Sequence, residues 1–167
     1  WPAPASAVHF VRATPGTHHY EPAPLTMLSA WADDVRQAGG SVEVDPSLRT
    51  PYAYRTGLLS ALLDTPIPTN PIRHHASPIR VVEETAKKRA FSHLADGIDV
   101  ESVGELAAFS KTLSEALNNV FEHAETPLGC VVSASRFDGA DRVPLAVADR
   151  GCTIPGHIRR RHGHDLS

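Results

Sequence analysis

The fold is decided by residues 103–124, which read VGELAAFSKTLSEALNNVFEHA. Apolar side chains recur there every three or four positions, the spacing that gathers side chains on one face of an α-helix. We therefore predict one long helix over this stretch. Its buried face is predicted to carry seven apolar residues, namely Val103, Leu106, Leu113, Leu117, Val120, Phe121 and Ala124.

Two polar residues, Glu115 and Asn119, lie four positions apart in the second half of this helix. Residues with that spacing stack on one helical face about one turn apart, so their carboxylate and amide groups can reach the same ligand. The pair is typical of a site that holds a metal ion and a nucleotide. Asn118 competes with Asn119 as the amide that contacts the ligand, and Glu115 taken alone also fits a surface glutamate.

The segment after the helix predicts a β-hairpin that ends in a glycine turn. Residues 128–137 read as a strand, residues 138–141 as a turn with glycine, and residues 143–148 as a second apolar strand that returns antiparallel. Asp149 and Gly151 follow directly, and a glycine there lets the backbone approach a planar ligand closely. We expect Asp149 to lie at the edge of a sheet that packs on the helix, with a pocket between them.

A helix with Glu-x-x-x-Asn, a hairpin and then Asp-x-Gly resembles the ATP-binding domain shared by gyrase B, the Hsp90 chaperones, histidine kinases and MutL, which form the GHKL family. The resemblance covers about residues 103–155, and Thr153 stands where the family has a second glycine. It implies an α+β fold, a two-layer α/β sandwich of the histidine kinase-like ATPase type, here partial. A small N-terminal α/β lobe precedes it.

The resemblance also implies a role for each site residue. The carboxylate that matches Glu115 positions and deprotonates the attacking water in those family members that hydrolyse ATP, and the amide that matches Asn119 ligates Mg2+. The aspartate that matches Asp149 accepts a hydrogen bond from the adenine amino group, and Gly151 leaves room for the ring. Ile154 belongs to the same nucleotide-binding segment. ATP and Mg2+ are therefore the expected cofactors.

Residues 1–78 are predicted to form an N-terminal lobe with a connector, and residues 79–167 the ATP-binding domain. In the lobe, a strand at 7–11, a helix at 24–38, a strand at 41–45 and a helix that begins at Pro51 alternate, which indicates a small α/β layer. The order resembles the STAS-like module that precedes some bacterial GHKL domains. An unrelated α/β lobe fits these residues equally well.

The predicted connector runs from Asp64 to Pro78, because four prolines in that segment oppose regular structure. His74 and His75 are assigned there to an exposed basic loop. A strand at 79–82 follows, and then a charged helix from Glu83 that Gly97 ends. Asp99 or Glu101 is expected to begin the long helix.

Composition narrows the class of protein. The 167 residues carry a formal net charge of -3, so no basic surplus points to nucleic acid as a partner. The two cysteines, Cys130 and Cys152, form no Cys-x-x-Cys pair, which disfavours a zinc ribbon or a disulfide scaffold. No apolar run is long enough for a membrane span, and the first residues show no signal-peptide pattern. We therefore expect a cytoplasmic protein without nucleic-acid or membrane partners.

Two functions stay open on these observations. The first is an Mg2+-dependent ATP-binding module of GHKL type with a regulatory or bacterial-type signalling role, which hydrolyses ATP if it is complete or partnered. The second is a non-catalytic protein-interaction module that keeps a degenerate GHKL fold. No second glycine-rich segment, with which the family cradles the phosphates, follows Pro155. We expect ATP and ADP as ligands, a protein partner or self-association, and little hydrolysis by this chain alone.

Overall fold

The computed structural model describes residues 7–11, 21–66, 70–100, 102–124, 126, 128–137 and 142–151. Helices and strands alternate irregularly along them, so the fold is mixed α+β. The elements follow in the order β1 (Val8–Val11), α1 (Pro22–Gln37), β2 (Ser41–Val44), α2 (Pro51–Arg55), α3 (Leu58–Leu63), β3 (His75–Val81), α4 (Lys87–Ile98), α5 (Val103–His123), β4 (Cys130–Ser135) and β5 (Leu145–Asp149).

The N-terminal elements form a small α/β unit. Strands β1 and β2 pair in parallel, and α1 is the crossover between them, as the strand-helix-strand order predicts. Thr50 caps α2 by accepting a hydrogen bond from the Ala53 amide, with Pro51 at the first helical position. A buried apolar cluster holds the unit together, formed by Leu25, Ala32, Val44, Leu48, Ala53, Leu58 and Leu62.

The second part of the chain is built on the sheet β3-β4-β5, in which both pairs of neighbouring strands are antiparallel. The predicted hairpin is therefore confirmed in its strands and direction, while its turn at 138–141 lies outside the described residues. Every residue of the central strand β4 is buried. A strand buried on both faces needs covering layers on both sides of the sheet.

Helices α4 and α5 form the layer on one face. The helix α5 runs from Val103 to His123, in agreement with the predicted span, and its core contacts come from Phe109, Leu113, Leu117 and Val120. The predicted buried face is wrong at its first two positions, because Val103 is 85% and Leu106 37% exposed. Both side chains therefore face solvent and not the core.

Helix α1 forms the layer on the opposite face, which the sequence did not predict. Thr26 on α1 and Ser133 on β4 share a buried hydrogen bond of 2.6 Å between their hydroxyl oxygens. The Ser133 hydroxyl also lies 3.1 Å from the Pro22 carbonyl oxygen, to which it can donate. Thr26 donates to the same carbonyl oxygen at 2.7 Å, so the two hydroxyls and this carbonyl form one buried hydrogen-bonded cluster that fixes the position of α1 on the sheet.

Two glycines change helices that the sequence predicted. The helix expected from Pro51 is divided in two, because Gly57 adopts φ +79° and its missing side chain lets Ser77 approach. Gly97 lies inside α4 and does not end it. A Cβ atom there would lie 2.7 Å from that of Ala76, so glycine is needed for close packing of α4 on β3.

The helix boundaries near α5 also differ from the prediction. Asp99 ends α4 with φ +55°, and Ser102 caps α5 by accepting a hydrogen bond from the Glu105 amide. The long helix therefore begins after Ser102 and not at Asp99 or Glu101. The serine was overlooked although a serine three residues before a glutamate is the sequence of a capping box.

The predicted exposed connector is wrong at its end. Strand β3 begins at His75 and contains Pro78, which lies where the pairing of β3 with β4 shifts register between Ala76 and Ile79. Proline lacks the backbone N–H that regular strand pairing uses. It is tolerated at such an irregularity because the pairing there does not require that hydrogen bond. His75 itself is buried, with 6% of its surface exposed, and is not part of a basic loop.

No helix among the described residues is both long enough and apolar enough to cross a membrane.

His75 joins the two parts of the chain through its imidazole ring. The Nδ1 atom lies 2.6 Å from the Ser135 hydroxyl oxygen, and Nε2 lies 3.3 Å from the Thr56 carbonyl oxygen. A neutral ring with its proton on Nε2 donates to Thr56 and accepts from Ser135. Burial lowers the pKa of His75 below the ordinary value of 6.5, and the hydrogen bond to the Thr56 carbonyl opposes this only in part.

We expect this group to make the fold acid-sensitive. Below pH 6.5 the unfolded chain binds a proton at this position that the folded chain does not. The free energy of unfolding should therefore fall as the pH decreases from 6.5 through the lower folded pKa. Denaturant titrations of the wild type and of His75→Gln at several pH values measure this. A stability difference between them that stays constant from about pH 8 to about pH 5 would contradict the assignment.

Candidate functional site

The alignment of helix α5 with strand β5 positions the predicted site. At one end, a Cβ atom added to Gly151 would lie 2.0 Å from the Ala124 carbonyl oxygen, so the residues after β5 pack tightly on the end of α5. Toward the other end, Thr112 and Leu145 line the same groove. The helix and the strand therefore run side by side in the same direction.

This alignment determines how far along the helix and the strand the two predicted ligand-binding residues lie. Asn119 lies five residues before Ala124, which is about 7.5 Å along a helix that rises about 1.5 Å per residue. Asp149 lies two residues before Gly151, which is about 6.6 Å along a strand at about 3.3 Å per residue. Since Ala124 and Gly151 are in contact, Asn119 and Asp149 lie at about the same level.

One row of side chains on α5 faces the β5 side. Ala108 and Thr112 line the groove between α5 and the start of β5. Glu115 and Asn119 follow these two residues at a spacing of seven, and residues seven apart lie on the same flank of a helix. The predicted pair therefore continues the same row toward the end of β5, and both side chains are exposed. The seven-residue spacing of this pair from Ala108 and Thr112 is visible in the sequence and was overlooked.

The competing amide, Asn118, lies on the other flank of α5. Its Oδ1 atom accepts a hydrogen bond of 2.7 Å from the Lys87 ammonium group at the start of α4. The same ammonium group lies 5.0 Å from the centroid of the Phe121 ring. Asn118 is therefore occupied on the side away from β5, whereas Asn119 has no hydrogen-bond partner among the described residues. Lys87 was not singled out from sequence.

The turn after β5 holds Asp149 in a defined orientation. Its Oδ1 atom accepts a hydrogen bond of 2.8 Å from the Gly151 amide, which is a local side-chain-to-backbone turn. Asp149 is exposed, and its second oxygen has no hydrogen-bond partner in the described part of the chain. The predicted contribution of Ile154 lies outside the described residues.

A second contact fixes the same turn from the opposite face of the sheet. The Arg150 guanidinium forms an ion pair with Asp34 on α1, and both side chains are mostly buried, with 26% and 19% exposure. Ion pairs that are shielded from water are screened less by salt than exposed ones. The Asp149 turn is therefore held between α5 on one side and α1 on the other.

The buried cysteine beside this turn does not supply a nucleophile. Cys130 pairs with Asp149 across the sheet. Burial raises the pKa of the Cys130 thiol to about 12, and the negative charge of Asp149 adds to the effect, while Lys87 opposes it. Because the thiolate is the reactive form, a thiol with this pKa is inert near neutral pH.

The residues present suit magnesium held together with phosphates better than a protein-only metal site. Among the described residues, no group of three or more histidine, cysteine, aspartate or glutamate side chains could hold a metal ion. Magnesium usually takes one or two protein oxygens and completes its shell with water and phosphate oxygens. The open amide oxygen of Asn119, one turn from the Glu115 carboxylate, fits that requirement.

The cavity in this groove does not extend to Asp149. A cavity of about 550 Å³ lies between the first half of α5 and the start of β5, and includes neither Asn119 nor Asp149. Its lining combines apolar residues with the ion-paired side chains of Glu105 and Arg136. A cavity between helix and sheet is therefore present in the described residues, but its last lining residue on α5, Thr112, lies about two turns before Asn119.

Comparison with protein-family models, with curated proteins and with solved structures gives no match for this chain.

Gly151 is expected to be irreplaceable for structural reasons. A Cβ atom at this position would meet backbone atoms of Ala124, which cannot rotate away. We expect Gly151→Ala to lower the free energy of unfolding by about 1–3 kcal/mol, as overpacked substitutions do. The matched control is Gly104→Ala in α5, where no atom lies within 4 Å. That change should stabilise the helix by about 0.5–1 kcal/mol. Equal stabilities of the two variants in urea titrations would overturn the packing of the turn on α5.

Proposed function

We propose that this chain is an Mg2+-dependent ATP-binding module of GHKL type, with a regulatory or signalling role and little hydrolysis on its own. The observation that carries the proposal is the row of side chains on α5 that leads from the groove to Glu115 and Asn119. This row ends at the level of Asp149. The finer fold assignment, a histidine kinase-like ATPase sandwich with a STAS-like lobe, rests on the same residues and remains part of the proposal.

Each residue has a distinct task in this proposal. The open carboxylate oxygen of Asp149 accepts a hydrogen bond from the exocyclic amino group of adenine, while its other oxygen holds the Gly151 amide. Asn119 offers an amide oxygen to the magnesium ion, which neutralises phosphate charge when it is bound. Glu115, one turn earlier on the same flank, faces the phosphate side of the site, where a carboxylate can orient water and take up its proton.

A non-catalytic protein-interaction module with the same fold is the second candidate. The Glu115 side chain is exposed and has no hydrogen-bond partner among the described residues. A general base is usually oriented by neighbouring groups, so an unrestrained carboxylate favours binding without efficient chemistry. Such a non-catalytic module either still binds adenine or acts only by binding another protein.

The first test concerns adenine recognition by Asp149. The Asp149→Asn variant keeps one oxygen that can accept from the Gly151 amide, but replaces the other acceptor by an amide donor. Loss of the hydrogen bond should cost about 1–3 kcal/mol, a rise in the Kd of ATP and ADP alike of about five- to 150-fold. GTP, which presents a carbonyl at that ring position, should bind relatively better. Calorimetric titration with unchanged ATP affinity in a folded variant contradicts the proposed adenine contact.

The second test separates the two neighbouring amides of α5. Asn119→Ala should raise the Kd of Mg-ATP about tenfold, the effect of losing about 1.4 kcal/mol, and should change metal-free ATP much less. Asn118→Ala is the matched control, because it removes the same group from the other flank. Titrations with magnesium and with a chelator measure the ratio. A selective loss of Mg-ATP in Asn118→Ala would mean that the ligand lies on the α4 side.

A further inference from the structure

A second cavity lies away from the α5 groove, at the junction of the two apolar clusters. It has a volume of about 410 Å³, within the range of small-molecule sites. Helices α1 and α3 form one wall, and strands β3 and β4 with the start of α4 form the other. Its polar lining consists mainly of charged side chains from both walls, namely Asp33, Arg36, Asp64, Arg80 and Arg89.

One carboxylate in this cavity serves two guanidinium groups. Arg80 donates from Nε to Asp33 Oδ2 at 2.6 Å and pairs through Nη2 with Oδ1. Arg36 donates to the same Oδ1 at 2.6 Å. Both oxygens of Asp33 are therefore occupied, and the three side chains together keep one net positive charge.

Arg36 uses most of its N–H donors within the protein. Nη1 donates to the Leu62 carbonyl oxygen at 2.9 Å, and Nη2 donates to the Ala61 carbonyl oxygen at 3.0 Å. Arg36 therefore ties α1 to the end of α3. Its charge still contributes to the potential of the cavity.

The other two arginines of the lining retain more unused donors than Arg36. The side chain of Arg80 is 42% exposed, and its Nη1 atom has no acceptor among the described residues. Arg89, in the first turn of α4, is exposed and has no partner there either. Opposing them, Asp64 is an exposed carboxylate on the other wall. With three arginines and two aspartates, the lining has one net positive charge.

We propose that this cavity binds a small organic or inorganic anion through a carboxylate or phosphate group. Guanidinium groups match both anions because they offer pairs of parallel N–H donors. Arg80 and Arg89 supply these donors from β3 and α4, and α1 and α3 close the other side. A ligand here touches elements of both apolar clusters, so it braces α1 against the sheet.

The test uses inorganic phosphate and succinate as separate probes in calorimetric titrations of the full chain. Arg89→Gln should raise the Kd of the bound anion about tenfold, since it removes a charge-assisted contact. Lys88→Gln is the matched control: it removes the same charge from the neighbouring position, which does not line the cavity. Its Kd should change less than about twofold, as expected for screened charges.

A third variant should act in the opposite direction. Asp64 adopts φ +54°, a conformation that asparagine also tolerates, so Asp64→Asn removes a negative charge without strain. Anion affinity should then rise. Binding of phosphate alone, of succinate alone or of both identifies the source of the anionic group. Saturable binding of neither probe, or equal weakening by Arg89→Gln and Lys88→Gln, overturns the proposal.

Discussion

The burial of strand β4 on both faces is the constraint on which the rest of the structure depends. Its residues alternate between two layers: Cys130, Val132 and Ala134 contact the cluster under α4 and α5, whereas Ser133 meets α1. Small side chains on both faces let helices approach the sheet closely. The serine is tolerated because Thr26 and the Pro22 carbonyl oxygen satisfy its hydroxyl, and the resulting position of α1 brings Asp33 and Asp34 over the sheet.

The two aspartates on α1 form ion pairs at two different sites. Asp33 joins Arg80 on β3 and so forms one wall of the cavity with unused guanidinium donors. Asp34 joins Arg150 in the turn that carries Asp149. Because both carboxylates belong to one rigid helix, a displacement of α1 that weakens one ion pair strains the other. The proposed anion cavity and the proposed nucleotide site are thus both connected to helix α1, although no residue belongs to both.

Local sequence patterns predicted most helices and strands, whereas the contacts between distant elements are seen only in the structure. The span of α5 and the β4-β5 hairpin follow from apolar spacing and turn residues, which neighbouring positions determine. The burial of His75, the layer formed by α1 and the role of Gly97 depend on which distant elements pack together, and local sequence patterns do not give that information. The pair Glu115 and Asn119 was proposed from its spacing, whereas the separation of Asn118 from Asn119 required the Lys87 contact.

The Asp149 turn shows why a glycine can be required before any ligand is considered. The resemblance assigns Gly151 to make room for an adenine ring, yet the position already excludes a side chain because the Ala124 carbonyl lies in the way. The same contact fixes Asp149 relative to α5, and the Arg150–Asp34 pair fixes it relative to α1. A carboxylate held from both sides loses little freedom on binding, so the proposed acceptor is preorganised. Packing alone therefore requires glycine at this position, and the adenine contact that we propose would add a second requirement for the same residue.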